Sequence, residues 1–299
     1  MGWPQTILDE LEDQRYWAYT AGAGPATEPT ALAALALVGH GRAAAAQKAG
    51  DLLVQRQEAA GSLGIGTGEQ APHWGTALAV LAWCAAGKAH GAETGASKYA
   101  QPIERAVEWI LSVAGQIMPR SPDLGHDTTL KGWPWVEGTH SWIEPTAYCV
   151  LALRATGRAS HNRTREAVHL LIDRLLLDGG CNYGNTMVLG QTLRPQLEPT
   201  GLALLALSGA LDRDGKIARS LEYAGKQVGP DTTAYSLAMG LLGLAAHDRW
   251  PEQGPAWLER AWSRNTTISL GVPRRALVAL AALGPKSPLV ALARGEEPA

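Results

Sequence analysis

Two helical patterns alternate along the chain. The first places apolar residues three and four apart with Arg, Lys and Glu between them, as in ILDELEDQRYW, AAQKAGDLLVQRQE, IERAVEWILSV, REAVHLLIDRLL, KIARSLEYAGKQ and AWLERAWSR. That spacing predicts amphipathic helices that lay one face on a core and turn the other to water. The second pattern is apolar nearly all round and opens on a recurring phrase: an acid, Pro and Thr, then Ala and Leu. It reads EPTALAALAL at Glu28 to Leu37, EPTAYCVLAL at Glu144 to Leu153 and EPTGLALLAL at Glu198 to Leu207. Weaker copies are HWGTALAVLAW from His73, PDTTAYSLAMGLL from Pro230 and VPRRALVALAAL from Val272. A helix without a polar face is a buried helix. Gly39, Gly87, Gly157 and Gly209 mark the ends of four of them.

Counted from Thr30, Thr76, Thr146, Thr200, Thr233 and Arg275, the phrase returns on average every ~49 residues, the scale of a helical-hairpin repeat. Six hairpins follow, at about 5–40, 42–88, 102–157, 163–211, 215–247 and 254–284, with a short tail at 285–299. An open stack of hairpins needs polar end caps, and neither terminal repeat supplies them clearly. The expected fold is therefore all-α: one (α/α)6 barrel, with buried helices as the inner ring and amphipathic helices outside. An open helical array is the alternative.

Composition narrows what such a barrel would do. The formal net charge is −2, so no basic field invites nucleic acid or anionic lipid. No apolar run approaches the ~20 residues of a membrane span. The N-terminus carries acids where a signal peptide has basic residues, so a cytoplasmic location is expected. Cys84, Cys149 and Cys181 lie far apart without a C-x-x-C pair, which suits a reducing compartment and offers no zinc knuckle. Phe is absent while Trp occurs 11 times and Tyr 7 times, so rings with a polar handle supply the aromatic surface.

Stretches such as AVEWILS, DGGCNYG at Asp178 to Gly184 and EPTAYCVLALRATG resemble the prenyltransferase and squalene-hopene cyclase repeat family. The likeness runs from about Leu8 to Leu283 and implies an (α/α)6 toroid whose hollow accepts isoprenoid chains. Class II terpene cyclases carry an Asp-x-Asp-Asp-Thr-Ala phrase whose middle Asp protonates an alkene. Here Gly229-Pro230-Asp231-Thr232-Thr233-Ala234 is the best match, with Asp231 at the acid's position and Gly229 and Thr232 replacing its companions. Squalene cyclases use two barrels, and this chain has room for one. Protein prenyltransferase β-subunits hold zinc through an Asp-x-Cys pair, which does not occur here.

In a closed barrel the inner helices run the same way and start at one mouth. The position two before each anchor then forms a ring of Glu28, Trp74, Glu144, Glu198 and Asp231. Carboxylates gathered at a helix-lined mouth repel one another and push at least one pKa up. A neutral carboxylic acid is what general acid catalysis requires. Asp231 is the candidate acid, with Glu144 and Glu198 as its electrostatic partners. The plainer reading gives these residues helix-start duty: Pro29, Pro145 and Pro199 suit a first turn, an acid there favours the helix dipole, and Asp231 is a good N-cap.

One turn further along, Tyr148 lies below Glu144 and Tyr235 below Asp231. Trp133, Trp135 and Trp142 crowd the longest insertion, KGWPWVEGTHSW, just ahead of Glu144. With Trp74, Glu28 and His140 they make up the candidate substrate-binding set. Aromatic faces stabilise cations, and an insertion over a mouth is where a lid is expected; the plainer reading makes the rings plugs of the rim. His73, His126 and His140 also precede inner helices, but with Glu144 or Asp127 they show no zinc-ligand spacing. Neither magnesium nor zinc is expected, nor any other cofactor. GTGEQ at Gly66 to Gln70 resembles the thioester motif of complement-like toroids, with Thr67 where the reactive Cys would stand.

Three functional classes remain open. One is a terpene cyclase-like or prenyltransferase-like enzyme that acts on an isoprenoid or other apolar small molecule. Another is a non-catalytic toroid that binds a lipid or a partner protein. The third is carbohydrate processing, carried by fold analogy alone.

Overall fold

The computed structural model describes residues 2–20, 22–68, 71–89, 98–264 and 271–296. The EPT-type phrases form α2 (Thr27–Gly39), α4 (Thr76–Ala89), α6 (Ile143–Ala155), α8 (Leu197–Ala206), α10 (Ala234–Ala245) and α12 (Val272–Ala282). Each packs on the next, and α12 returns to pack on α2, so the ring closes. The amphipathic segments form α1 (Trp3–Glu12), α3 (Ala43–Arg56), α5 (Ala100–Ser112), α7 (Asn162–Asp173), α9 (Lys216–Gln227) and α11 (Gly254–Arg264). They pack against the outside of that ring. The fold is an all-α toroid. A short antiparallel pair, β1 (Met187–Val188) and β2 (Gln191–Thr192), decorates the loop ahead of α8.

Burial follows the two patterns. In α2 every residue from Pro29 to Val38 is buried, as is every residue from Pro145 to Leu153 in α6. The outer helices bury one stripe each, such as Ile217, Ser220, Leu221 and Ala224 in α9. On the outside, α1 seals the first hairpin to the last. Arg275 of α12 pairs with Glu10 at 2.7 Å, and Arg42 pairs with Asp9 at 2.8 Å.

The recurring threonine has a structural task. The backbone N–H groups of Leu63, Trp133 and Cys181, each in the loop entering an inner helix, donate to the hydroxyls of Thr76, Thr146 and Thr200, all at 2.9 Å. Thr200 and Thr76 donate in turn to the Gln196 and His73 carbonyls, at 2.6 and 2.7 Å. Each hydroxyl thus clasps the incoming loop to the first turn of its helix, satisfying backbone groups that burial would otherwise orphan.

Two features depart from the sequence reading. Gly201 replaces the Ala of the other EPT phrases because α8 and α10 approach through their backbones. A Cβ on Gly201 would stand 2.3 Å from the Met239 carbonyl oxygen. The segment read as a tail is also structural. Pro288–Arg294 forms α13, which packs against α2, α4, α6, α8 and α10. Its residues from Pro288 to Ala293 are all buried, and Arg294 donates to the Ala245 carbonyl at the end of α10. With Pro288 also touching Gly39 at the end of α2, α13 plugs the barrel where the inner helices finish. Its seven residues are too few to show a helical period, which is why the pattern missed it.

Candidate functional site

The end opposite the plug opens into a cavity of about 1390 Å³. Glu28, Glu198, Asp231, Tyr235, Tyr19 and Arg274 are among its lining residues. Glu28, Glu144 and Glu198 are each the second residue of their helices. The starts of α2 and α8 stand on opposite sides of the ring, yet Glu28 feels the charge of Glu198 and both line the shared hollow.

Burial is the largest influence on all three glutamates and raises each above its ordinary value. For Glu144, repulsion from Glu28 and Glu198 adds to burial and takes the carboxyl from 4.5 to about 8. A rise of that size corresponds to roughly 5 kcal/mol. The dipole of α6 favours a charged residue here by only ~0.3–1 kcal/mol. Burial and repulsion therefore win, and Glu144 is neutral at pH 7. Glu28 is also raised by burial and by Glu198, while a hydrogen bond from the Tyr19 hydroxyl works the other way. At Glu198 the nearby Arg274 guanidinium opposes the effect of burial.

Tyr148 is buried one turn below Glu144, and its hydroxyl is raised by burial, then by Tyr235 and the three glutamates. Tyr235 is half-buried and feels the same glutamates. Of the predicted residues Glu28, Glu198 and Tyr235 line the cavity, while Glu144 and Tyr148 are not among its lining residues and join the cluster through the charges they feel.

Asp231 is placed differently. Its side chain is 79% exposed and pairs with Arg260 at 3.0 Å and Arg264 at 3.2 Å. The reason is register. Thr233 is the N-cap of α10 rather than its fourth residue, so Asp231 precedes the helix instead of riding on its first turn. Asp231 lines the cavity rim without the apolar enclosure that a proton donor to an alkene requires.

The aromatic set also divides. Trp133 sits in the core, not at the mouth: its indole N–H donates to the Ile110 carbonyl at 2.8 Å, and Arg163 covers its ring at 4.4 Å. Trp74 and Trp135 meet edge to face at 4.7 Å in a narrow cleft shared with His73 and Cys149. Trp142 packs on His140 with ring centres 4.5 Å apart. None of these four tryptophans lines the mouth cavity. Sequence reasoning missed Tyr19 and Arg274, which reach the cluster through tertiary contacts that no local pattern announces.

Among the described residues no group of three or more His, Cys, Asp or Glu side chains could hold a metal ion. No helix there is long and apolar enough to cross a membrane. Of the GTGEQ segment, Thr67 donates to the Pro25 carbonyl at 3.3 Å, and Glu69 and Gln70 lie outside the described residues.

No protein-family model matches this chain, and no curated protein does. Solved structures do. The type II terpene cyclase MstE from Scytonema, in complex with geranylgeranyl dihydroxybenzoate, is 13% identical with a TM-score of 0.58, over 98% of this chain and 96% of that one. These likenesses show the fold. A protein from Actinoplanes is 18% identical with a TM-score of 0.55, over 88% of this chain and 79% of that one. Salmonella alpha-2-macroglobulin reacted with methylamine is 15% identical with a TM-score of 0.52. This chain spans 17% of that protein's length, so the same toroid occurs both as nearly a whole chain and as part of a much larger one.

Proposed function

We propose that the mouth cavity takes an isoprenoid or similar apolar substrate and that Glu144 delivers a proton to it. The observation that supports this reading is the raised Glu144 carboxyl, within electrostatic reach of Glu28 and Glu198, which line the cavity, and one turn above the buried Tyr148. In the step we envisage, the π electrons of a substrate alkene form a new C–H bond with the Glu144 proton. A tertiary carbocation and the Glu144 carboxylate result. The same field of Glu28 and Glu198 that holds the proton on Glu144 then favours the cation, and the Tyr235 ring, which lines the cavity, adds to it. A second alkene of the substrate attacks the cation, and loss of a proton to Glu198 or water completes an isomerisation without net gain or loss of atoms. Asp231, exposed and engaged by two arginines, is left with a rim role. The substrate class is carried over from MstE, whose bound ligand joins a geranylgeranyl chain to dihydroxybenzoate.

A non-catalytic toroid that binds a lipid is the competing reading, favoured by the exposed, ion-paired state of Asp231. A carbohydrate-processing groove open at both ends is disfavoured because α13 closes one end. The test is incubation of the purified protein in heavy water with squalene and with geranyl, farnesyl and geranylgeranyl diphosphates, with and without magnesium. Wild type and Asp231→Asn should give a rearranged product carrying one deuterium, and Glu144→Gln should give none. No product from the wild type, or undiminished product from Glu144→Gln, overturns the assignment.

A further inference from the structure

A second cavity, of about 150 Å³, lies between the loop leading into α6 and the turn ahead of α8. It shares no lining residue with the mouth cavity. Its lining combines polar residues, among them Arg174, His126, His140 and Asn185, with the apolar Met118, Leu124 and Leu130. Arg174, just past the end of α7, is only 6% exposed. Its Nη1 donates to the Gly184 carbonyl at 3.1 Å, but among the described residues its Nε–H finds no hydrogen-bond acceptor.

A buried guanidinium whose donors are held by few short hydrogen bonds gains from a further acceptor. The two nearby acids engage Arg174 only loosely: Asp173 at 3.7 Å from its Nε, and the Asp127 carbonyl at 3.5 Å from its Nη2. The Asp127 carboxylate is taken by Arg120 and the Thr129 hydroxyl, and Asp173 Oδ2 accepts the Asp127 N–H at 2.9 Å. We infer that this pocket binds a small organic carboxylate, its oxygens on Arg174 with His126 and His140 beside them and its apolar body against Met118, Leu124 and Leu130. The volume suits such a ligand, because a cavity of about 150 Å³ accepts a benzene ring.

The charge balance agrees. Burial, then the Arg174 charge, pulls both histidines below their usual value, His126 to about 4. At neutral pH they are uncharged imidazoles, which donate to an anion without adding to the charge it must neutralise. The occupant would also touch the support of the mouth. Trp142, the residue before α6, packs on His140 and against Gly184, whose carbonyl Arg174 holds.

The experiment is calorimetric titration of the full chain with benzoate, with benzamide as a neutral analogue of the same shape and inorganic phosphate as a compact anion. Benzoate should bind saturably and at least about tenfold more tightly than either comparison. Arg174→Gln should weaken it at least tenfold by the same scale. Because Arg174 also supports backbone carbonyls, Asn185→Trp, which fills the pocket from a half-buried position, serves as the second variant and should abolish binding. Glu198→Gln, at the mouth, should leave it unchanged. The inference fails if benzoate does not bind, if benzamide or phosphate binds as well, if Asn185→Trp binds like wild type, or if Glu198→Gln abolishes binding.

Discussion

Glu28 and Glu198 face each other across the ring, one from the start of α2 and the other from the start of α8, and each carries a carboxyl raised by burial. Glu144 joins them from α6 and feels both. Three like charges cannot be concentrated in one enclosed space without cost, so the hollow keeps a proton near neutral pH.

That retained proton gives stability a definite pH dependence. The folded Glu144 carboxyl titrates at about 8 and its ordinary value is 4.5. Between those values the native state binds more protons than the unfolded chain, so stability falls as pH rises through the window. Glu144→Gln removes the penalty. Because the cavity admits water, the discounted gain for the variant is about 1–3 kcal/mol above the window and near zero below it. Urea denaturation at both ends of the window measures the difference.

Tyr19→Phe tests the coupling inside the cluster. The Tyr19 hydroxyl is the group that favours the charged form of Glu28. Without it Glu28 should titrate higher. With less charge on Glu28, Glu144 should titrate lower. Opposite movements of the two glutamates in a carbon-13 carboxyl titration are the expected result.

The threonine clasps are a matter of stability. Thr146→Val leaves the buried Trp133 N–H without its acceptor and should cost about 1–3 kcal/mol. Thr200→Val should cost a similar amount at the Cys181 N–H. Thr233, exposed and with its hydroxyl on the Ser236 hydroxyl rather than on a buried backbone N–H, should tolerate the same change within about 0.5 kcal/mol. Chemical denaturation of the three variants separates the two groups.

Core contacts at the plug and at the α8–α10 crossing make the last stability prediction. Leu289→Ala, in a fully enclosed position of α13, should destabilise by about 2–4 kcal/mol. Gly201→Ala should cost about 1–3 kcal/mol, because the backbone of α10 stands where the methyl group would go. Both are read from the midpoint of urea unfolding at constant slope.

The ring was legible because buried helices without a polar face recur at a regular interval, and three EPT phrases start their helices with glutamates close enough to feel one another's charge. The same logic put Asp231 and Trp74 on helical first turns that they do not occupy, although Asp231 still lines the cavity rim. Their phrases begin one turn later relative to the helix: α4 starts at Thr76 itself and α10 just after Thr233. A position counted from the threonine is then a loop position rather than a helical one. Trp133 looked like a mouth residue because its neighbours in sequence are loop residues, but its indole is drawn inward by the Ile110 carbonyl. Tyr19, Arg274 and α13 depend on contacts between distant segments, which periodicity does not encode.

The account rests most directly on the protonation state of the glutamates in the hollow. A carbon-13 titration of the side-chain carboxyls, comparing wild type with Glu144→Gln, measures it. One glutamate carboxyl that titrates near 8 in the wild type and is missing from the variant is the predicted result. A spectrum in which every glutamate carboxyl titrates in the ordinary carboxylate range would contradict it.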